Sequence, residues 1–186
     1  MTTTRPFRGH ARAVSMALLA PLFLLANPAR AADPVKEAQD TIAVFKKTDP
    51  GISRFFDEAA GYAVFPTIGK GAIGIGGAGG SGILFVRGKP VGKTSMAQVT
   101  VGFQLGGQSY SEVVFLETEA ALNDFKKGNF ALAAQVSAVA AASGASANAK
   151  YASGVAVFTA TKAGLMYEAS VGGQKFGFEP FEAGKK

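Results

Sequence analysis

The feature that most restricts the fold of this chain is a glycine-rich stretch at residues 69–82, where eight positions are glycine. A strand drawn through the stretch carries Ile73 and Ile75 on one side, whereas its other side is nearly bare. A bare strand surface allows another backbone, a helix or a ligand to approach unusually closely. We therefore expect a sheet with a place of close approach here. A second stretch of small residues, at 136–154, has the same property.

Alternation of apolar and polar residues with a period of two predicts strands through most of the chain after Gly61. The clearest run spans 99–105, where Val99, Val101, Phe103 and Leu105 alternate with small or polar residues. The same alternation recurs at Val113 and Phe115, at Val155 and Val157, and at Leu165, Tyr167, Ala169 and Val171. Such a pattern is typical of half-buried strands in an antiparallel sheet.

A first helix is predicted to begin after Asp33, which has the form of an N-cap and is followed by proline at the first helical position. Apolar residues then recur at steps of three and four, which gives one apolar stripe along the helix. The stripe consists of Val35, Ala38, Ile42 and Phe45. Lys46 and Lys47 suit the last turn, where cations complement the helix dipole.

A second, shorter helix is predicted to begin at Asp49 and to end at Gly61. A third is predicted from Thr118 to Lys127, with Gly128 as its stop. The inward-facing side chains are Ile52, Phe55 and Phe56 in the second helix, and Leu122 and Phe125 in the third.

Together these elements predict an α+β protein with a single domain. A mostly antiparallel, twisted or barrel-like β-sheet is joined by N-terminal helices and by one inserted helix. The predicted boundaries are 1–31 for a cleavable signal peptide, 32–60 for an N-terminal helical segment, and 61–182 for the main domain.

The first thirty-one residues have the form of an export signal. Arg5, Arg8 and Arg12 precede an apolar run, and Ala29 and Ala31 supply the small residues of a cleavage site. The run is shorter than the ~20 residues that a membrane-spanning helix requires. We therefore expect an exported protein, periplasmic or secreted, that is soluble or peripheral at a membrane.

Removal of this segment changes the charge of the chain. The whole sequence has a formal charge of +6. Without Arg5, Arg8, Arg12 and Arg30, fifteen basic residues face thirteen acidic ones and the charge is +2. A nucleic-acid-binding protein is expected to keep a strong basic excess. The sequence therefore predicts no nucleic-acid partner.

Residue types argue against catalysis. The chain has no cysteine, and its one histidine, His10, lies in the predicted signal, so Ser-His and Cys-His chemistry is not expected. Glu112 and Glu168 fall in predicted strands, where a pair of carboxylates can serve hydrolysis, but charges on the solvated face of a sheet are far commoner. We expect no enzymatic activity, no cofactor and no metal site.

Two apparent nucleotide motifs fail on their surroundings. Residues 74–79 fit G-x-G-x-x-G, but strand-like residues 83–86 follow where a helix is required, and no acidic residue occurs between Glu58 and Glu112. Residues 92–94 resemble the end of a P-loop, but alternating residues follow them. A basic hairpin turn that contains Arg87 is the better interpretation.

Several motifs, in order along residues 61–180, resemble the SYLF domain family. They are Gly61-Tyr62-Ala63-Val64-Phe65-Pro66, Gly69-Lys70-Gly71, Gly102-Phe103-Gln104-Leu105-Gly106-Gly107-Gln108, Gly128-Asn129-Phe130, Gly154-Val155, Gly164-Leu165 and Gly172-Gly173-Gln174-Lys175. The resemblance implies a lipid-binding module. Eukaryotic SYLF proteins are described as binding phosphoinositides or phosphatidic acid, and yeast relatives also bind actin through this domain. What the resemblance implies for an exported chain is engagement of an anionic phospholipid or membrane surface.

Two regions are candidate lipid contacts. The first helix offers Ile42 and Phe45 for insertion beside basic side chains that are attracted to anionic headgroups. The basic residues of this region are Lys36, Lys46, Lys47 and Arg54. The second region is a basic cluster near the glycine-rich strand, consisting of Lys70, Arg87, Lys89 and Lys93. For both regions the alternative is an ordinary one, with the apolar stripe packed on the sheet and a solvated hairpin.

A protein-interaction scaffold is the alternative function. In that interpretation the flat sheet docks a protein partner, by analogy with the actin contact of the relatives. Lipid binding is expected to weaken with salt and to require anionic headgroups. Binding of a protein partner is expected to persist in detergent.

Overall fold

The computed structural model describes Met1 and residues 33–73, 75–101, 108–128, 130, 138–140, 142–161 and 173–182. The chain divides into two units, Met1–Ala31 and Ala32–Lys186, and the elements described below belong to the second. The predicted signal peptide, Phe103 and Leu105, the strand at 165–171 and Glu168 lie outside the described residues.

Within the described residues, seven strands form one sheet in the order β5-β6-β4-β1-β2-β3-β7. The strands are β1 (Gly61–Ile73), β2 (Ile75–Val86), β3 (Lys89–Val101), β4 (Gln108–Leu116), β5 (Ala138–Ala140), β6 (Val155–Thr161) and β7 (Gln174–Pro180). Neighbouring strands are antiparallel except for the short parallel pair β5–β6. Within the described strands the sheet is not closed. The predicted α+β class is confirmed, with a twisted sheet rather than a closed barrel.

The sheet curves so that strands far apart in its order face each other. Strands β4 and β7 are separated by three others, yet Nε2 of Gln174 donates a hydrogen bond to Oε2 of Glu112 at 3.0 Å. The rings of Phe65 on β1 and Phe176 on β7 are 5.7 Å apart. We call the side on which these residues meet the concave face, and the other side the convex face.

Helices cover both faces. On the convex face lie α1 (Pro34–Thr48), a 3₁₀ helix (Pro50–Ile52) and α2 (Ser53–Glu58), whose buried side chains pack on those of Tyr62, Val64 and Phe115. On the concave face lies α3 (Glu119–Lys126), whose Leu122 and Phe125 pack against the buried residues of that face, among them Phe65 and Phe176. Strands in the middle of the sheet are therefore buried on both sides, not half-buried as predicted. In β4 every residue from Tyr110 to Leu116 is buried.

The helix boundaries follow their capping residues. The Asp33 side chain accepts a hydrogen bond from Val35 N at 3.0 Å, and Thr118 Oγ1 accepts one from Ala121 N at 3.2 Å. Gly128 ends the third helix with a φ of 75°. These three predictions are confirmed. The second helix ends at Glu58 rather than at Gly61, because Gly61 is already the first residue of β1.

The glycine-rich stretch forms the β1–β2 hairpin, and the group that approaches it is the backbone of β1. A Cβ atom on Gly80 would lie 2.6 Å from the Thr67 carbonyl oxygen, and one on Gly82 would overlap the Val64 carbonyl oxygen. The β1–β2 register shifts between Val64 and Thr67, which is the position of a β-bulge. Strand β2 continues to Val86, so no helix follows the G-x-G-x-x-G match and a dinucleotide site is excluded there.

Candidate functional site

The apolar stripe of α1 faces the sheet. The Phe45 side chain is completely buried among Phe55, Phe56 and the convex-face strand residues, and Ile42 is partly buried against the same cluster. The stripe therefore packs on the sheet, which is the alternative that the sequence left open for it. Burial of a phenylalanine stabilises the fold by roughly 1.5–3 kcal/mol. The fold would lose this stabilisation if Phe45 left the core to enter a membrane.

Outside the stripe, α1 exposes a different apolar side chain. Val44 has 55% of its surface exposed, more than any other large apolar side chain among the described residues of 33–182. Lys47 lies one turn later on the same face and is exposed, and the ammonium of Lys46 lies 4.9 Å from the centroid of the Phe56 ring. Position 44 carried no signal in the sequence, because a single apolar residue outside the stripe is ordinary on a helix surface.

At the other end of α1, Lys36 is paired. Its ammonium lies 2.6 Å from Oδ2 of Asp40, one turn along the helix. The hydrogen bond with Asp40 raises the pKa of Lys36. Val44 and Asp40 also line a cavity of about 360 Å³ beside the helix. The positive character of α1 is therefore concentrated at its C-terminal end.

Arg54 has a structural role that limits its freedom. Its Nη2 atom donates hydrogen bonds to the carbonyl oxygens of Ser146 at 2.6 Å and Ala149 at 3.0 Å, and its guanidinium lies 4.8 Å from the centroid of the Phe55 ring. These bonds bring the exposed Lys150, next in sequence to Ala149, to the same end of the molecule. We call Val44, Lys46, Lys47, Arg54 and Lys150 the helix-end surface.

Asp49 fixes the chain beneath this surface. Its side chain is buried and accepts hydrogen bonds from Ser146 N at 2.6 Å and Gly51 N at 3.2 Å. Burial opposes the ionisation of Asp49, but the bonds from Ser146 and Gly51 outweigh it and lower its pKa. An ionised Asp49 thus joins the end of α1 to the 3₁₀ helix Ala145–Asn148.

The predicted basic hairpin exists. Arg87 and Gly88 form the β2–β3 turn with φ values of 51° and 74°, as in a type I′ hairpin. Nη2 of Arg87 lies 3.9 Å from Oε1 of Glu119, and Lys89 is exposed. Phe181, 38% exposed, lies beside the hairpin because its N–H donates to the Val91 carbonyl oxygen at 3.0 Å.

The second predicted cluster, however, is divided. Lys70 pairs with Ala78 in the register, whereas Lys89 pairs with Val86. These positions are eight residues apart along β2, or about 26 Å at ~3.3 Å per residue. Lys70 thus belongs to the far end of the hairpin, and its side chain lies outside the described part. Only Arg87, Lys89 and, further along β3, Lys93 belong to one region.

A groove of about 630 Å³ lies between the first turn of α1 and strands β2, β3 and β7. Lys93 is the one cation among its described lining residues, and Glu37 and Glu179 are the carboxylates. The remaining lining residues are Pro34, Pro66, Ser81, Gly82, Ile83, Thr94, Ser95, Gly177 and Phe178. The sequence indicated the bare strand surface but not the helix that forms the opposite wall.

Comparison with known proteins assigns the C-terminal part of this fold. Residues 97–179 match the model of the family described as Ysc84, Las17-binding protein actin regulator, which is the SYLF domain family. Residues 97–179 belong to the SYLF family. The resemblance seen in the sequence is thereby confirmed. The chain is also similar to Beta cell expansion factor A of Aeromonas veronii, with 30% identity over 129 residues. That alignment covers 68% of this chain and 49% of the relative, so the chain spans about half of the relative's length.

The SYLF segment encloses a carboxyl group in its concave core. Glu112 is completely buried, and burial raises its pKa to about 7, opposed by the hydrogen bond from Gln174. Among the described residues, its Oε1 atom has no hydrogen-bond partner. Burial and the Glu112 charge also raise the pKa of Tyr110. The expectation of a solvated Glu112 is wrong, because its side chain lies in the core.

The described part of the chain holds neither a bilayer-crossing helix nor a cluster of metal ligands. No described helix combines the length and the apolar character needed to cross a bilayer. The same residues contain no group of three or more histidine, cysteine or acidic side chains placed to hold a metal ion. Three surfaces are candidates for binding: the helix-end surface, the groove, and the hairpin end, which consists of Arg87, Lys89 and Phe181.

Proposed function

We propose that this chain is an exported, non-catalytic module that binds the surface of membranes containing anionic phospholipid. Membership of the SYLF family supports a lipid-binding or actin-regulator-like module. The observation that carries the membrane assignment is the exposed Val44 with the exposed Lys47 one turn later on the same face of α1. An apolar side chain beside a lysine is the arrangement that enters the interface of an anionic bilayer.

The magnitudes predict weak, reversible binding. A basic residue near an anionic surface contributes about 1 kcal/mol, and the helix-end surface has four of them. Insertion of Val44 adds roughly 1.5 kcal/mol. The combined free energy, about 5.5 kcal/mol, corresponds to a dissociation constant near 0.1 mM. A second contact strengthens such binding without new chemistry, and the hairpin end, with Arg87, Lys89 and Phe181, offers one.

Binding to vesicles tests the proposal. Residues 32–186 should co-sediment with vesicles of phosphatidylglycerol in phosphatidylcholine, and binding should weaken as salt screens the lysines. The double variant Lys46→Glu, Lys47→Glu should bind at least about tenfold more weakly, because two attractive charges become repulsive. Circular dichroism checks that this variant is folded.

The chain offers a matched control for this variant. Lys126 and Lys127 are also adjacent lysines at the end of a helix, α3, and Lys126→Glu with Lys127→Glu makes the same charge change. We expect the control to keep most of its binding. Equal losses in the two double variants would mean that the net charge of the protein, not the helix-end surface, determines binding. Unchanged binding in the helix-end variant would contradict the assignment of this surface.

Export is the second part of the proposal, supported by the arginines, the apolar run and the cleavage pattern of residues 1–31. The full-length chain, expressed in a bacterium, should be recovered from the periplasm or medium with Ala32 as its first residue by mass spectrometry. Ala29→Lys with Ala31→Lys removes the small residues of the cleavage site and should leave the leader attached. Recovery of the wild-type chain from the cytosol with the leader intact would contradict export.

The absence of catalysis is proposed from residue types. The described part contains neither cysteine nor histidine, and the one carboxyl group described with a strongly raised pKa, Glu112, is sealed in the core. Substrate turnover by purified residues 32–186 that is lost in Glu112→Gln would contradict this part of the proposal.

A protein-binding scaffold is the second candidate. The family description, which names a Las17-binding protein and actin regulation, favours it. For such a scaffold, binding should be insensitive to the headgroup and should persist in detergent. The vesicle experiment separates the two functions, since a scaffold is indifferent to phosphatidylglycerol.

A further inference from the structure

The groove beside α1 carries three charged side chains that do not pair with one another. Lys93, Glu37 and Glu179 all line it and all are exposed. The ion pairs within the described part of the chain are Lys36–Asp40, Arg87–Glu119 and Lys127–Asp124. Neither the lysine nor the two glutamates of the groove belongs to them. Charges of both signs in one groove are therefore available to a ligand.

The positions of these charges are fixed by separate elements. Lys93 lies on β3 and faces Glu179 on β7 in the register of the two strands. Glu37 lies in the first turn of α1, which forms the opposite wall. A ligand that enters the groove thus meets one cation and two carboxylates from three different elements.

These three charges favour a lipid headgroup that carries both a negative and a positive charge. A phosphate on Lys93 gains a charge-assisted hydrogen bond, but a headgroup with only negative charge must also lie beside two carboxylates. A headgroup that joins a phosphodiester to a terminal ammonium satisfies both signs, with phosphate on Lys93 and ammonium beside Glu37 and Glu179. Ethanolamine phosphate has this chemistry, and its ammonium supplies three donors to carboxylate oxygens.

The rest of the groove suits the lipid part of such a molecule. The volume of about 630 Å³ is in the range of ligand sites, roughly 300–1,000 Å³. Pro34, Pro66 and Ile83 supply apolar lining. Gly177 adds no side chain to the groove, and a Cβ atom at this position would lie 2.8 Å from Oγ of Ser95. A free headgroup needs no such apolar lining, whereas a glycerol backbone and the start of an acyl chain do.

We propose that the groove binds one zwitterionic phospholipid with an ethanolamine headgroup, held by Lys93, Glu37 and Glu179. This inference rests on the proposed lipid-binding function, but it assigns a different surface and a different headgroup. The helix-end surface contacts the anionic bilayer, and the groove holds a single aminophospholipid.

Short-chain lipids that remain monomeric test the groove without vesicles. Dihexanoylphosphatidylethanolamine, titrated into residues 32–186, should shift the amide NMR signals of Lys93, Ser95 and Gly177. Dihexanoylphosphatidylglycerol and the chain-free glycerophosphoethanolamine should each bind at least about tenfold more weakly, for lack of the ammonium and of the apolar part respectively.

Charge variants supply the decisive comparison. Glu37→Gln with Glu179→Gln should weaken the ethanolamine lipid about tenfold and strengthen the glycerol lipid, because the carboxylates attract the first and repel the second. Glu58→Gln, on α2 away from the groove, is the control. A preference for phosphatidylglycerol in the wild type, or equal affinities before and after the double change, would overturn the inference.

A variant that fills the groove tests the assignment without changing any charge. Ser95→Leu should abolish the signal shifts, whereas Ala97→Leu, on the same strand but outside the groove lining, should preserve them. Absence of shifts in the wild type would also overturn the groove assignment. Loss of vesicle sedimentation in the helix-end variant with intact groove shifts, or the converse, distinguishes failure of one proposal from failure of the other.

Discussion

Replacing Glu112 with glutamine is expected to raise the free energy of unfolding at pH 8 by about 3 kcal/mol. Burial raises the pKa of Glu112 from 4.5 to about 7. Between these two pH values the folded protein therefore keeps a proton on Glu112 that the unfolded chain has released. Stability therefore falls as the pH rises from about 4.5 to about 7, and stays low above that range. Glutamine has the shape of the protonated acid and carries no charge at any pH, so it removes this cost.

Urea unfolding followed by circular dichroism between pH 4 and pH 8 measures the effect. The difference between the wild type and Glu112→Gln should be near zero at pH 4 and should grow to its full value by pH 8. Glu117→Gln, an exposed residue just beyond β4, is the matched control and should leave the pH profile unchanged. A Glu112→Gln profile parallel to that of the wild type would show that Glu112 does not titrate in this range.

The helices could be predicted because their signals are local. Asp33 and Thr118 cap the helices that follow them, and the period of three and four residues identified the stripe of α1. The family could also be recognised, since its motifs are short segments of sequence. What the stripe could not show is which surface it contacts. Phe45 packs on the sheet, whereas Val44, outside the stripe, is exposed.

The site depends on register and curvature, which the sequence does not encode locally. The separation of Lys70 from Lys89 follows from the pairing of β1 with β2 and of β2 with β3. The burial of Glu112 requires β7 to curve back towards β4, so that Gln174 reaches it. An alternating pattern in β4 predicts one solvated face, and only the position of α3 and of β7 shows that both faces are covered.

The glycine-rich stretch is visible in the sequence, but the contact that requires a glycine depends on the strand register. Gly82→Ala is expected to destabilise the fold by about 3 kcal/mol. A Cβ atom at position 82 would overlap the Val64 carbonyl oxygen and lie 2.8 Å from Cδ1 of Phe65, so the bulge of β1 must shift. Gly79→Ala is the matched control, because its Cβ atom would meet only the Met96 carbonyl oxygen, at an ordinary 3.5 Å, and we expect a change within about 0.5 kcal/mol. Urea unfolding of both variants makes the comparison. Equal effects would mean that glycine is required for conformational freedom throughout the hairpin, whereas a loss confined to position 82 locates the requirement at the contact between the two strands.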